Sequence, residues 1–234
     1  MKYLNFLLVL SLIITGCSEP DTAQMTLTGT VKGLKKGTLL LQKIEDTTLV
    51  SVDSVQIDGD PNFVFSDEVA SPEVYFIYLR LENGTLLDDR IPFFAEATEI
   101  QLETSLKKFG NDVKITGSTN QDKLEEYKEI VSRFTNRNLD LIEESLKARQ
   151  AGNDSLIAAL QIQQNKLIAS KYLATVNYAL QQKDLEVAPY LMLSEVYDAN
   201  IKYLDTVYSV LPTNVRESKY GKELADYIED RKSQ

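Results

Sequence analysis

Two periodicities divide the chain. Up to Gly117, apolar residues alternate with polar ones over short runs broken by turn residues, the mark of half-buried strands. Met25 to Val31 places Met25, Leu27, Gly29 and Val31 on one face, and Gly37 to Lys43 follows. Thr48 to Ile57 carries Val50, Val52, Val55 and Ile57, and Phe63 and Phe65 mark a short strand. Val74 to Leu81 sets Val74 and Phe76 against Tyr75 and Ile77. Leu86 to Phe94, Glu99 to Leu102 and Val113 to Ile115 complete a set of about eight strands. Eight short antiparallel strands at this spacing predict a β-sandwich.

After Gly117 the spacing becomes helical. Ser118-Thr119-Asn120-Gln121 supplies N-cap chemistry. Leu124, Tyr127, Val131, Phe134 and Leu141 then recur at threes and fours or their multiples. Gln150-Ala151-Gly152-Asn153-Asp154 stops this helix and caps a second, carrying Leu156, Leu160, Leu167, Leu173, Val176 and Leu180. A short connection between long helices predicts an antiparallel αα-hairpin. Pro189 suits the first turn of a third helix, which Pro212 ends, and Asn214 to Lys232 forms a final charged helix. The expected fold is α+β by segregation: an antiparallel β-sandwich, then an αα-hairpin with further helices.

Tyrosine follows the same division. Nine of the twelve lie after Gly117. Tyr190, Tyr197, Ile201, Leu204, Tyr208 and Leu211 keep one face of a continuous third helix. Tyrosine joins an apolar ring to a hydroxyl that requires a partner or water. Two readings follow: a core edge inside the bundle, or a partner surface built on Tyr190, Tyr197, Ile201 and Tyr208.

The first residues have another purpose. Lys2 precedes an apolar run from Leu4 to Ile14, then Ile14-Thr15-Gly16-Cys17. A positive end, a short apolar stretch and small residues mark a secretory signal, and the run is too short for a transmembrane helix of roughly 20 residues. Ile14-Thr15-Gly16-Cys17 resembles a lipobox. That resemblance implies cleavage before Cys17, a diacylglyceryl thioether on its sulfur and an acyl chain such as palmitate on its new amino group. More than one acyl chain gives firm anchoring. The expected organisation is a signal peptide over 1–16, a lipidated tether over 17–24, a β-sandwich domain over 25–117 and a helical region over 118–234. Ser18 rather than Asp after the cysteine favours the outer membrane of a Gram-negative envelope, facing the periplasm. Asp21-Thr22-Ala23 resembles an O-glycosylation tripeptide, which makes Thr22 a candidate acceptor in the tether; Asp53-Ser54-Val55, Asp154-Ser155-Leu156 and Asp205-Thr206-Val207 have the same form.

Composition narrows the chemistry. Net charge is −10, and losing Lys2 with the signal makes it −11, which disfavours nucleic acid as a partner. The chain has no histidine, which removes Ser-His and Cys-His pairs and His-ligated zinc. Cys17 is the one cysteine, so no internal disulfide or CxxC pair forms. Asp58-Gly59-Asp60-Pro61-Asn62 spaces oxygens like a calcium loop, but Phe63 and Val69 occupy the places of the required Gly and Glu, so a hairpin turn is expected. Asp88-Asp89, Glu125-Glu126 and Glu143-Glu144 are adjacent carboxylates; neighbours on a helix point apart, so the Glu pairs are expected on a solvated face. Neither a cofactor nor a metal is expected.

A wider resemblance rests on ordered motifs. Gly29-x-Val31-x-Gly33-Leu34-x-x-Gly37-x-Leu39-x-Leu41 is followed by Asp53-Ser54-Val55-x-Ile57-Asp58-Gly59 and Phe63-x-Phe65. Phe93-Phe94-x-Glu96-x-x-Glu99-Ile100 and Val113-x-Ile115-x-Gly117-Ser118 close the β part, and Ser218-Lys219-Tyr220-Gly221-Lys222 lies in the helical part. The set resembles the uncharacterised N-terminal domain and linker helices of envelope thiol-disulfide oxidoreductases of the TlpA and AhpC type. Asp60-Pro61-Asn62 and Ala97-Thr98 depart from the usual turns. In those reductases a thioredoxin-like domain follows the Tyr-Gly-Lys segment; here the sequence runs only to Gln234, and no redox residue is carried over. The expected function is a lipid-anchored, non-catalytic envelope module that binds a protein or small ligand. The alternative is an accessory that docks a separate thioredoxin-like oxidoreductase. The membrane, through the lipid, and an envelope protein are the expected partners.

Overall fold

Strand β1 (Gln24–Lys32) buries Met25, Leu27 and Val31 on one face, and that alternation seeds the first core. The computed structural model describes residues 23–233. Cys17, Thr22 and the signal segment lie outside the described residues. β1 is followed by β2 (Lys36–Glu45), β3 (Thr48–Asp58), β4 (Asn62–Glu68) and β5 (Glu73–Leu81). Then come β6 (Leu86–Ala95), β7 (Glu99–Ser105), a single 3₁₀ turn and β8 (Lys114–Thr116). They form two four-stranded sheets, in the orders β4-β1-β7-β8 and β3-β2-β5-β6. Leu39, Leu41, Ile77 and Phe93 of the second sheet close on Leu27, Phe65, Ile100 and Leu102 of the first in one shared core. At full burial of large aliphatic or aromatic side chains, each contributes about 1.5–3 kcal/mol.

One pairing departs from the all-antiparallel expectation: β1 and β7 run parallel, Leu27 opposite Ile100 and Gly29 opposite Leu102. Parallel neighbours need a long crossover, and the whole second sheet supplies it between β1 and β7. Gly29 is opposite Phe63 on β4, and a Cβ there would lie 2.3 Å from the Phe63 ring. The glycine thus makes room for an aromatic lid across the strand pair.

Gly117, at φ +99, turns the chain out of β8; a Cβ would meet the Glu99 carbonyl oxygen at 2.1 Å. Ser118 then caps α1 (Thr119–Gln150) by accepting from the Gln121 amide at 3.0 Å. α1 has 32 residues, about 48 Å at 1.5 Å per residue. Asn153 caps α2 (Asp154–Gln181), and the two form the expected hairpin.

The expected third helix is broken into α3 (Val187–Glu195) and α4 (Ile201–Val210). Asn200 is the reason: its side chain accepts from the Lys202 amide and starts a new helix. The expected final helix is likewise split into α5 (Thr213–Arg216) and α6 (Lys219–Ser233). Ser218 lies at that break, donating to the Val215 carbonyl and accepting from the Gly221 amide.

The helices do not stand apart from the sandwich. Leu40, Val74, Phe76, Tyr78 and Phe94, on the outer face of the second sheet, form one cluster with Leu124, Tyr127, Tyr178, Val187, Leu191 and Tyr220. α3 to α6 and the end of α2 have a further core around Met192, Leu204, Val207 and Leu224. The far part of the α1–α2 hairpin holds only Leu141, Ala148 and Leu160 buried.

Candidate functional site

The joint between sheet and helices is built from polar side chains that serve backbone groups. The Glu96 carboxylate accepts from the Ser118 hydroxyl at 2.7 Å and the Asn120 amide at 2.6 Å. Asn120 accepts from the Val187 amide at 2.7 Å and donates to Glu186 at 3.1 Å, linking the starts of α1 and α3. β6 is an edge strand, and Gln121 accepts from the Phe94 amide at 2.9 Å. Burial raises the Glu186 carboxyl above the ordinary range, with Glu96 nearby adding to the shift.

The segment Ser218-Lys219-Tyr220-Gly221 is the clamp of this joint. The Lys219 amide donates to the Ser71 hydroxyl at 3.2 Å. Its ammonium donates to the Ile44 carbonyl at 2.5 Å and pairs with Glu73. The Tyr220 hydroxyl accepts from the buried Val74 amide at 2.9 Å. Gly221 permits the approach, since a Cβ would lie 2.0 Å from the Val215 carbonyl oxygen.

Beside the clamp, a cleft of about 440 Å³ opens between the outer sheet face and the helices. Val74, Phe76 and Pro92 form its sheet side, and Tyr190 and Tyr220 its helical side. Arg90 lies at the β6 rim, with Asp46 and Glu223 among the other lining groups. The rings of Tyr190 and Tyr220 are 5.1 Å apart, and Phe94 meets them edge-on at 5.2 and 6.2 Å. Burial raises both tyrosine hydroxyls, so the phenols stay neutral. Glu223 is also raised by burial, against the pull of Lys219. Arg90 places its guanidinium 4.7 Å from the Phe76 ring centre and donates to the Tyr78 hydroxyl at 3.1 Å. Rings on two walls and a cation on a third suit an apolar or aromatic guest.

The tyrosine face expected on one helix is not one face. Because α3 and α4 are separate, Tyr190 enters the cleft, while Tyr197, about half exposed, lies in the connection. Ile201 and Tyr208 pack at the edge of the helical core, Tyr208 beneath the Arg216 guanidinium. Tyr197 borders a second hollow of about 300 Å³, shared with Phe134, Ile168 and Tyr172. There the Tyr172 hydroxyl donates to Asp198 at 2.5 Å, which with partial burial pushes its pKa up to about 12.

The acidic turn and the two Glu pairs are occupied locally, whereas Asp88 and Asp89 are exposed on β6 and join none of the ion pairs among the described residues. The Asp60 carboxylate accepts from both nitrogens of Asn62 in the turn between β3 and β4. Glu125 meets Lys128, Glu126 meets Lys123, Glu143 meets Lys147 and Glu144 meets Arg137.

Phe76, Arg90, Tyr220 and Glu223 were not among the residues expected at a site. A signal existed for the sheet side: Val74 to Leu79 is apolar at every position and buried throughout. Such a run marks a strand covered on both faces.

The fold and cleft define a two-sheet β-domain with a helical region docked on the outer face of its second sheet. A protein-family model described as "Domain of unknown function (DUF4369)" matches residues 25–124, the sandwich and the first turns of α1. No curated protein matches the chain.

Proposed function

We propose that this chain is a lipid-anchored, non-catalytic module of a Gram-negative outer membrane, facing the periplasm, that holds a small ligand or protein segment in the cleft. The observation that carries the reading is the cleft itself, with rings on opposing walls and neutral phenols at its side. The lipobox-like Ile14-Thr15-Gly16-Cys17 supports the anchor, and the lack of histidine supports a binding role over acid–base chemistry. No helix among the described residues is long and apolar enough to cross a membrane.

The test is native mass spectrometry of the full chain expressed in a Gram-negative envelope and extracted in detergent. A protein beginning at Cys17 with added acyl mass is expected, carrying a bound species that Glu223→Trp, which crowds the cleft, releases. An unprocessed start at Met1 defeats the anchor. Equal retention by both forms, or steady turnover of the bound species, defeats the binding role.

The second reading, docking of a separate thioredoxin-like oxidoreductase, draws on the likeness to TlpA- and AhpC-type proteins. One observation favours it. Ser218-Lys219-Tyr220-Gly221, one of the motifs behind that likeness, is the clamp that fixes the helices on the sheet, which supports giving that motif more weight than a turn glycine. A CxxC-containing partner recovered from the envelope by the full chain, and lost with Tyr197→Ala, would replace the small-ligand reading.

A further inference from the structure

Among the described residues, Arg90 is a cation without an ion-pair partner. It stands opposite Tyr78 on the neighbouring strand, on the sheet face that lines the cleft. Its side chain lies along the sheet, guanidinium over Phe76 and one N–H on the Tyr78 hydroxyl. None of the ion pairs among the described residues includes Arg90, although acidic side chains outnumber basic ones by 35 to 25. Asp88, two residues away on the same strand face, makes no ion pair with it. A guanidinium stacked on one face and held at one nitrogen keeps further N–H groups in a planar fork, the geometry that takes a carboxylate with two parallel bonds.

The other charges in the cleft restrict the guest. Lys219 is committed to Glu73 and the Ile44 carbonyl. Asp46 and Glu223 are acidic and stand on other elements, the β2–β3 turn and α6. A second anionic group on the guest would face these carboxylates without a free cation. Between the charges are Phe76, Pro92, Tyr190 and Tyr220, which accept apolar or aromatic surface. The cleft volume lies within the usual range for small-molecule sites, about 300–1,000 Å³.

We infer that the cleft binds a monocarboxylate with an apolar or aromatic body, its carboxylate on Arg90 and its body between Phe76 and the Tyr190–Tyr220 pair. This rests on the cleft being the ligand site, as proposed above. The same chemistry is offered by a free organic acid and by the C-terminal carboxylate of a peptide ending in an apolar residue.

The test is calorimetric titration of the full chain in lipid nanodiscs, with empty nanodiscs as the blank. The probes are 4-phenylbutyrate, its uncharged amide, suberate as a dicarboxylate, and a tetrapeptide ending in phenylalanine with a free carboxylate. Arg90 is exposed to solvent, which screens its charge, so 4-phenylbutyrate should bind about two- to fivefold tighter than the amide. Suberate should bind more weakly than 4-phenylbutyrate. Arg90→Gln should remove the preference for the acid while the fold is kept, thermal stability falling only by the lost stacking on Phe76 and the lost hydrogen bond to Tyr78, and Arg90→Lys should keep only part of the preference. Tighter binding of the tetrapeptide than of 4-phenylbutyrate assigns the carboxylate to a chain end; weaker binding assigns it to a free acid. Equal affinity for acid and amide, unchanged in Arg90→Gln, overturns the inference but leaves the cleft as a ligand site. Heat from none of the four probes at millimolar concentration also overturns it, and the cleft reading then stands or falls on the species retained in native mass spectrometry.

Discussion

The β-sandwich and the helical region are held together differently. The sandwich closes a core of Leu, Ile, Val and Phe between its own sheets, with Tyr75 the one buried tyrosine. The helical region shares its order with a neighbour: Tyr127, Tyr178 and Tyr220 pack on the outer sheet face or beside it. Each has a hydroxyl partner, Thr175 for Tyr127, the Lys123 carbonyl for Tyr178 and the Val74 amide for Tyr220. A core between sheets can be dry because the ladders satisfy the backbone. A joint between a sheet and helices leaves strand amides and helix ends to be satisfied, and tyrosine supplies ring and hydroxyl together. Of the tyrosines after Gly117, Tyr127, Tyr178, Tyr190 and Tyr220 thus serve the joint, and Tyr172, Tyr203, Tyr208 and Tyr227 edge the helical core.

The largest expected effect tests the closed core against the open end of the hairpin. Phe93 is fully buried, edge-on to Tyr75 at 6.2 Å. Phe93→Ala should cost about 3–5 kcal/mol in urea unfolding, because the surrounding sheets cannot collapse into the cavity. Leu141 is also buried, but few residues surround it in the far hairpin. Leu141→Ala should cost about 2 kcal/mol, the lower end for a buried leucine, since two helices in solvent can close together. Equal costs would mean that the far hairpin is as rigid as the sandwich.

A smaller effect addresses the joint. Tyr220→Phe keeps the ring but leaves the buried Val74 amide without its acceptor. The cost should be about 1–3 kcal/mol. Hydrogen exchange should show faster opening at Val74 and in α6, with the Leu27 and Ile100 amides unchanged. A uniform loss of protection across both regions would instead make sandwich and helices one cooperative unit.

How far all this was legible in sequence depends on the kind of signal. Most of the strands follow from alternation, β5 from an unbroken apolar run, and the hairpin from Gly152 and the cap at Asn153. The parallel β1–β7 pair did not follow, because alternation is the same in either direction. The α3–α4 break was hidden because Tyr190, Tyr197, Ile201 and Tyr208 keep helical spacing across it; Asn200 was the cap that could have marked it. The cleft was half legible. Tyr190 stands out in the sequence by its place on the tyrosine face, and the unbroken apolar run of β5 signals a covered outer face. Arg90 was not legible, because its meaning depends on Phe76 and Tyr78 lying across the sheet, a long-range pairing that no local pattern carries.

The smallest expected effect concerns the buried acid at the joint. Glu186 is almost fully buried and accepts from the Asn120 side chain, whose backbone N–H donates to Glu96. Burial first, and the Glu96 charge second, hold its carboxyl above the ordinary value. The folded state therefore keeps a proton that the unfolded chain releases above about pH 4.3. Between that value and the raised one, the folded protein binds more protons than the unfolded one, so this residue's contribution is complete at low pH and falls as pH rises. Glu186→Gln keeps an oxygen for the Asn120 side chain and removes the ionisation. The variant and the parent should be equally stable near pH 4, with the variant gaining as pH rises to 8, read by urea midpoints across that range. A gain that is constant with pH would assign the effect to packing rather than charge. A loss at pH 8 would mean that the charge of Glu186 supports the joint between α1 and α3, and would reverse the sign argued here.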